Sequence, residues 1–274
     1  MDEVSSHGYA WGYIGSCVPF IACLLIVLNY DKLGLGLQTA MQIAFAITAA
    51  WWLVFTIPML RDVEQKHFKP RESDAIAKAI GGIGGTLKEM WANKAIKFYM
   101  IAYFFYIDGV HTIIKLSTSY GTDLGIDATQ LVLALLVTQF VAFPSAIIYG
   151  RLSSKHGTRR MLLIAIAAYF GITLFAALFL RTATEFWVLA ILVGMFQGGI
   201  QALSRSEFGK LCPKERANEY FGFFDIFGKY AAILGTFLVG TFTAISGNSS
   251  LGVMSIAILF VIGFVMMLKV PERE

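Results

Sequence analysis

Apolar residues fall in eight long runs, roughly 9–29, 37–60, 95–117, 128–149, 161–180, 186–204, 221–242 and 251–268. Each comes close to the ~20 apolar residues that a helix needs to cross a bilayer. Pro19, Pro58 and Pro144 lie inside runs, where a membrane helix tolerates them because neighbouring helices re-satisfy the freed backbone groups. The pattern predicts an all-α, polytopic membrane protein of eight transmembrane helices. One connection, 61–94, is long. Within it Ile76, Ile80, Ile83, Leu87 and Met90 recur at steps of four, three, four and three, which makes one apolar face on a short amphipathic helix. Gly81, Gly82, Gly84 and Gly85 weaken it. Such a helix lies on the membrane surface or packs on the ends of the bundle. The chain divides into two helices (1–60), this central loop (61–94) and six helices (95–274).

Composition agrees. The chain is 57% hydrophobic and 15% charged, with mean hydropathy +0.67, against about 25% charged in soluble domains. Its 23 Phe, 11 Tyr and 5 Trp exclude a disordered coil. Met1-Asp2-Glu3 is acidic, where a secretory signal needs a basic start. The net charge of +4 is read as orientation rather than nucleic-acid binding. The connections after the second, fourth and sixth runs, with the C-terminal tail, hold seventeen Lys and Arg. The opposite connections hold only Lys32 and Arg181. Both termini are therefore expected in the cytoplasm, although the acidic N-terminus would orient poorly on its own. Cys17, Cys23 and Cys212 and the four histidines show no metal-ligand spacing, and no phosphate-binding glycine loop is present. No cofactor, metal, nucleic-acid partner or enzymatic constellation is expected.

Ionisable groups inside apolar runs are costly and default to functional candidates. The third run carries Asp108, His111 and Lys115, whose spacings of three and four place them on one helical face. Asp108 lies about 20 Å along that helix, past the middle of the hydrocarbon core. The stripe either lines a water-filled cavity, binding a charged solute or relaying a proton, or is a structural ladder with Lys115 snorkelling outward. Gln197, Gln201 and Arg205 form a second stripe at steps of four beside Gly198, Gly199 and Ala202. It faces a cavity or serves hydrogen bonds between helices. Asp225 and Lys229 are an acid-before-base pair at i,i+4, which suits a gate or a structural salt bridge.

The loop Gly150-Arg151-Leu152-Ser153-Ser154-Lys155-His156-Gly157-Thr158-Arg159-Arg160 resembles the Gly-x-Leu-x-Asp-x-x-Gly-x-Arg-Arg loop of the major facilitator superfamily, with Ser154 where Asp is usual. Gly150, Gly157, Arg159 and Arg160 join Asp225 and Lys229 as gating candidates by that resemblance. The segments Gly8 to Ser16, Asp108 to Ile114, Gln197 to Ser206 and Phe221 to Lys229 resemble the bacterial branch of the vacuole effluxer-like family of that superfamily. The resemblance covers essentially the whole chain. It implies a twelve-helix fold with a long loop between six-helix halves, so the eight runs correspond to helices five to twelve. Four helices are then expected ahead of Met1. Helices seven and ten of that fold line the central cavity, and the two polar stripes sit on them.

The resemblance implies secondary transport by alternating access, in a bacterial inner membrane, of a small polar solute such as an amino acid, with a coupling proton or cation. The rival expectation is a non-transporting membrane module that acts as an assembly partner. Self-association would then cover its exposed polar faces.

Overall fold

The computed structural model describes residues 1–64 and 75–271, with side chains in the second stretch from residue 81 onward. Lys66, Lys69 and Arg71 of the long connection lie outside the described residues, as do the side chains of Ile76, Lys78 and Ile80. The chain folds as α1 (Asp2–Leu28), α2 (Leu37–Asp62), α3 (Ala75–Ala92), α4 (Lys94–Asp123), α5 (Ala128–His156), α6 (Thr158–Phe179), α7 (Ala183–Leu211), α8 (Ala217–Tyr230), α9 (Ile233–Ser246), α10 (Ser249–Ser255) and α11 (Ala257–Leu268). Among the described residues there is no strand. Among the described residues seven stretches are long and apolar enough to cross a membrane: α1, α2, α5, α6, α7, the stretch from Lys214 to Ser246 and the stretch from Ser249 to Leu268. The chain is a polytopic helical membrane protein.

Three elements depart from the eight apolar runs. The third run becomes α4, 30 residues long. It falls short of the others in apolarity because Tyr99, Tyr103, Tyr106, Asp108, His111 and Lys115 interrupt it. It is instead, with α7, among the most enclosed: Tyr99, Tyr106 and Asp108 are fully buried. The seventh run is two helices, since α8 ends at Tyr230 and α9 starts at Ile233, with Ala232 at φ 82° between them. The eighth run bends between α10 and α11 at Ile256.

The amphipathic segment forms α3. Its Thr86 and Met90 are buried while Ile83 and Leu87 stay exposed. Arg216, at the start of α8, ties α3 down: it donates to Thr86 Oγ1 at 2.7 Å and pairs with Glu89 and with Glu219. One face of α3 is therefore docked on the bundle, and the residues meant for its apolar face are split between protein and outside.

Close approach between helices depends on small residues, since lipid tails give apolar helices no hydrophobic reason to associate. α5 packs on α7 and α1, and α4 on α11. A Cβ on Gly198 of α7 would meet the Ala142 carbonyl of α5 at 2.6 Å, and one on Gly109 of α4 would meet the Phe260 ring of α11 at 2.7 Å. Around α2 there is little such packing: Ala40 is its one buried residue. Gly198→Leu should therefore cost roughly 1–3 kcal/mol from overpacking, seen as a lower unfolding temperature in detergent. Gly171→Leu, at a glycine with nothing within 4 Å, should leave that temperature unchanged.

Candidate functional site

The second polar stripe opens onto a cavity. Gln201 and Arg205 of α7, one turn apart, face Tyr9 and Tyr13 of α1, also one turn apart, with Gln139 of α5 and Phe221 of α8 completing a wall around about 860 Å³. The Tyr13 hydroxyl donates to Gln201 Oε1 at 2.7 Å. Arg205 lies 3.5 Å from Asp225 and stacks 5.0 Å above the Phe221 ring. Its side chain remains 47% exposed, so the guanidinium keeps donors available to a ligand. This volume falls in the range of small-molecule sites, mostly apolar with a few placed polar groups. Gln197, one turn deeper on α7, is buried and faces a separate chamber of about 50 Å³ between α4, α5 and α7.

The first stripe does not join this cavity. Asp108 is fully buried beneath the break between α8 and α9. Its carboxylate accepts from the Gly235 N–H at 2.7 Å, the Leu234 N–H at 3.2 Å and the Thr112 hydroxyl at 3.3 Å. A helix start leaves four N–H groups without intrahelical partners and carries partial positive charge. Asp108 thus caps α9 from another helix. Gly235 is needed for this approach, because a Cβ there would stand 2.2 Å from Thr112 Oγ1 and 2.6 Å from Asp108 Oδ1. His111, three residues on, lies beside the backbone of Gly228 near the end of α8. Lys115 is exposed. Asp108 and His111 therefore meet the two sides of one broken helix, while Gln201 and Arg205 meet the cavity.

The gating candidates also separate. Asp225 pairs with Arg205 across helices rather than with Lys229 on its own helix, which corrects the i,i+4 expectation. Lys229 is exposed. In the loop, Gly157 turns the chain at φ 87°, a conformation that side chains resist. Gly150 lies against α1, where a Cβ would come 2.6 Å from Ser6. Arg159 donates to the carbonyls of Leu268 at 2.7 Å and Met267 at 3.4 Å, closing the end of α11. Arg160 is exposed.

One residue escaped the sequence reading. Asp2, buried at the start of α1, accepts from Ser206 at 2.5 Å, Thr158 at 2.8 Å and Ser153 at 3.1 Å, and pairs with Lys210 at 2.6 Å. Its partners come from α5, α6 and α7, so no spacing along the chain could reveal them. The acidity beside Met1 was the available signal, and it was read only as a weak orientation determinant. Among the described residues no three His, Cys, Asp or Glu side chains converge as metal ligands.

The Asp108 cap has a measurable consequence. Asp108→Ala leaves two buried N–H groups unpaired and should destabilise the protein by roughly 1–3 kcal/mol. Asp108→Asn keeps one acceptor oxygen and should lose less. Thermal unfolding in detergent checks the order, and equal unfolding temperatures for wild type and Asp108→Ala would remove the capping role.

Residues 1–274 match the family described as vacuole effluxer Atg22 like. The chain is 46% identical over 275 residues to the uncharacterized MFS-type transporter YxiO of Bacillus subtilis (strain 168), covering 100% of this chain and 64% of that one. It is 26% identical over 282 residues to autophagy-related protein 22 of Cryptococcus neoformans var. neoformans serotype D (strain JEC21 / ATCC MYA-565), covering 95% and 49%. To autophagy-related protein 22 of Saccharomyces cerevisiae (strain YJM789) it is 25% identical over 275 residues, covering 88% and 51%. The chain thus spans about half to two-thirds of the length of these relatives. With a match that runs from the first residue to the last, the chain belongs to the vacuole effluxer Atg22-like family.

Proposed function

We propose that the chain carries the solute pathway of a major-facilitator-type secondary transporter. It moves a small polar solute, amino acids among the first to test, by alternating access in a bacterial inner membrane. The observation that carries this reading is the cavity of about 860 Å³ that holds Arg205, Gln201 and Tyr13 between apolar helices. Arg205 offers charge-assisted hydrogen bonds to an anionic group, and Gln201 and the two tyrosines offer neutral ones. Asp225 and Phe221 hold Arg205 from α8. The break after Tyr230 separates α8 from α9, so the cavity wall at Phe221 can move without dragging the rest of that span. A proton or cation gradient drives the cycle. The relatives' names support the transporter class, and they do not name an enzyme.

The excess of Lys and Arg in the connections that include Arg151, Lys155, Lys210 and Lys214 supports a cytoplasmic side for these and for both termini. A second reading, a non-transporting module that assembles with other helices, draws on α2, whose one buried residue is Ala40. Covalent cross-linking to a defined oligomer without solute flux would favour it.

Two measurements test the first reading. In proteoliposomes holding the protein expressed from its native gene, uptake of a labelled amino-acid mixture under an imposed pH gradient should fall about tenfold to a hundredfold in Arg205→Ala, the range expected for losing one charged hydrogen bond. Full uptake by that variant would take Arg205 out of the pathway, and no uptake by wild type would sink the amino-acid reading. In a background without Cys17, Cys23 and Cys212, an impermeant maleimide applied to intact cells should label Ser246→Cys and spare Ser154→Cys. The reverse pattern would invert the topology.

A further inference from the structure

The small chamber behind the main cavity has an unusual chemistry. It is enclosed by α4, α5 and α7, and its polar lining residues are Ser117, Thr138, Gln139 and Gln197. Gln139 also lines the large cavity, so it stands at the boundary between the two. The remaining lining residues are apolar, and none of the residues around the chamber is charged.

Two of these groups have spent their protons on backbone carbonyls, and two carry carbonyl oxygens that no donor meets. The Thr138 hydroxyl donates to the carbonyls of Ala134 at 3.0 Å and Ala190 at 3.1 Å. The Ser117 hydroxyl donates to the Ile114 carbonyl at 3.0 Å. Gln197 Oε1 and Gln139 Oε1 are both buried without a partner. The Tyr13 hydroxyl gives its proton to Gln201 Oε1, so its oxygen is free to accept from the Gln197 amide. Gln197 itself is 5% exposed. Two buried carbonyl oxygens without donors are a standing cost in a medium without water.

We propose that this chamber receives a primary ammonium group, the N–H-rich end of the transported solute. An ammonium brings three donors and no acceptor, which complements the two open carbonyl oxygens. A carboxylate or phosphate brings acceptors only and leaves those oxygens unpaired. About 50 Å³ exceeds the ~30 Å³ share of one water and admits a compact head group with its first methylene. The proposal rests on the solute pathway above and specifies what that pathway selects. Arg205 and Gln197 are eight residues apart on α7, about 12 Å along the helix axis. An α-amino acid's own ammonium and carboxylate are too close together to reach both. A solute that uses both ends carries its amine on a longer arm, as an ω-amine does.

The test reads binding rather than flux. The purified chain in detergent is heated with butylammonium chloride, with butyltrimethylammonium chloride or with sodium chloride at matched ionic strength. Butylammonium should raise the unfolding temperature, because a ligand that binds the folded state stabilises it by mass action. The quaternary amine, which has no N–H, and sodium should not. Gln197→Leu and Gln139→Leu should lose the butylammonium shift. Gln197→Glu, which keeps the acceptors and adds charge, should show it at lower concentration and serves if the leucine variants fold poorly. An equal response to the quaternary amine or to sodium, no response at all, or an unchanged response in the glutamine variants would overturn the assignment. A wild-type chain that binds butylammonium through Gln197 and moves no solute would sink the transport reading while leaving the ammonium chamber standing.

Discussion

A bilayer interior has no water to give to a peptide group without a partner, so a spanning helix that breaks must find protein donors and acceptors at both new ends. That requirement organises the centre of this bundle. The break between α8 and α9 creates a helix start inside the protein, and the Asp108 carboxylate meets it through the Leu234 and Gly235 N–H groups. The bonded geometry then fixes other choices. Gly235 must lack a side chain for the carboxylate to approach, Thr112 completes the carboxylate's acceptance, and α4 is held at the middle of the bundle despite being the most polar of its long helices. The charge that looks expensive in isolation is met by three donors, two N–H groups of a helix start and one hydroxyl, which offset part of its burial cost.

The helical membrane architecture was legible because apolar run length is a one-dimensional property. So were the polar stripes, since a Gln-Gln-Arg series at steps of four cannot face lipid without loss. The break was not legible. Ala231 and Ala232 are among the best helix formers, and no proline or glycine stands between Tyr230 and Ile233. Ala232 takes a left-handed conformation that costs an alanine roughly 1–2 kcal/mol. The reason lies 124 positions earlier, at Asp108. In the same way the partners of Asp2 come from three other helices, and Asp225 chose Arg205 on α7 over Lys229 on its own helix. Local spacing predicts which residues share a face. It does not predict which neighbour that face will meet.

Polar chemistry is therefore divided by task. Asp108 and His111 attend to backbone ends, Arg159 to the carbonyls that finish α11, and Asp2 to hydroxyls and Lys210. Arg205, Gln139 and Gln197 keep spare hydrogen-bonding capacity and line the two neighbouring spaces between α1, α4, α5 and α7. Polar residues whose hydrogen bonds are complete hold the fold together.

Two adjacent residues at the start of α6 deserve to be read as one joint. Thr158 holds the Asp2 carboxylate at the head of the first helix, and Arg159 holds the carbonyls at the tail of the last. Gly157, bent at φ 87°, is the pivot directly before them. The start of α6 is thereby fastened to α1 and to α11 at once, two helices far apart in sequence. The head of α1 and the tail of α11 thus share one three-residue anchor at the same end of the bundle.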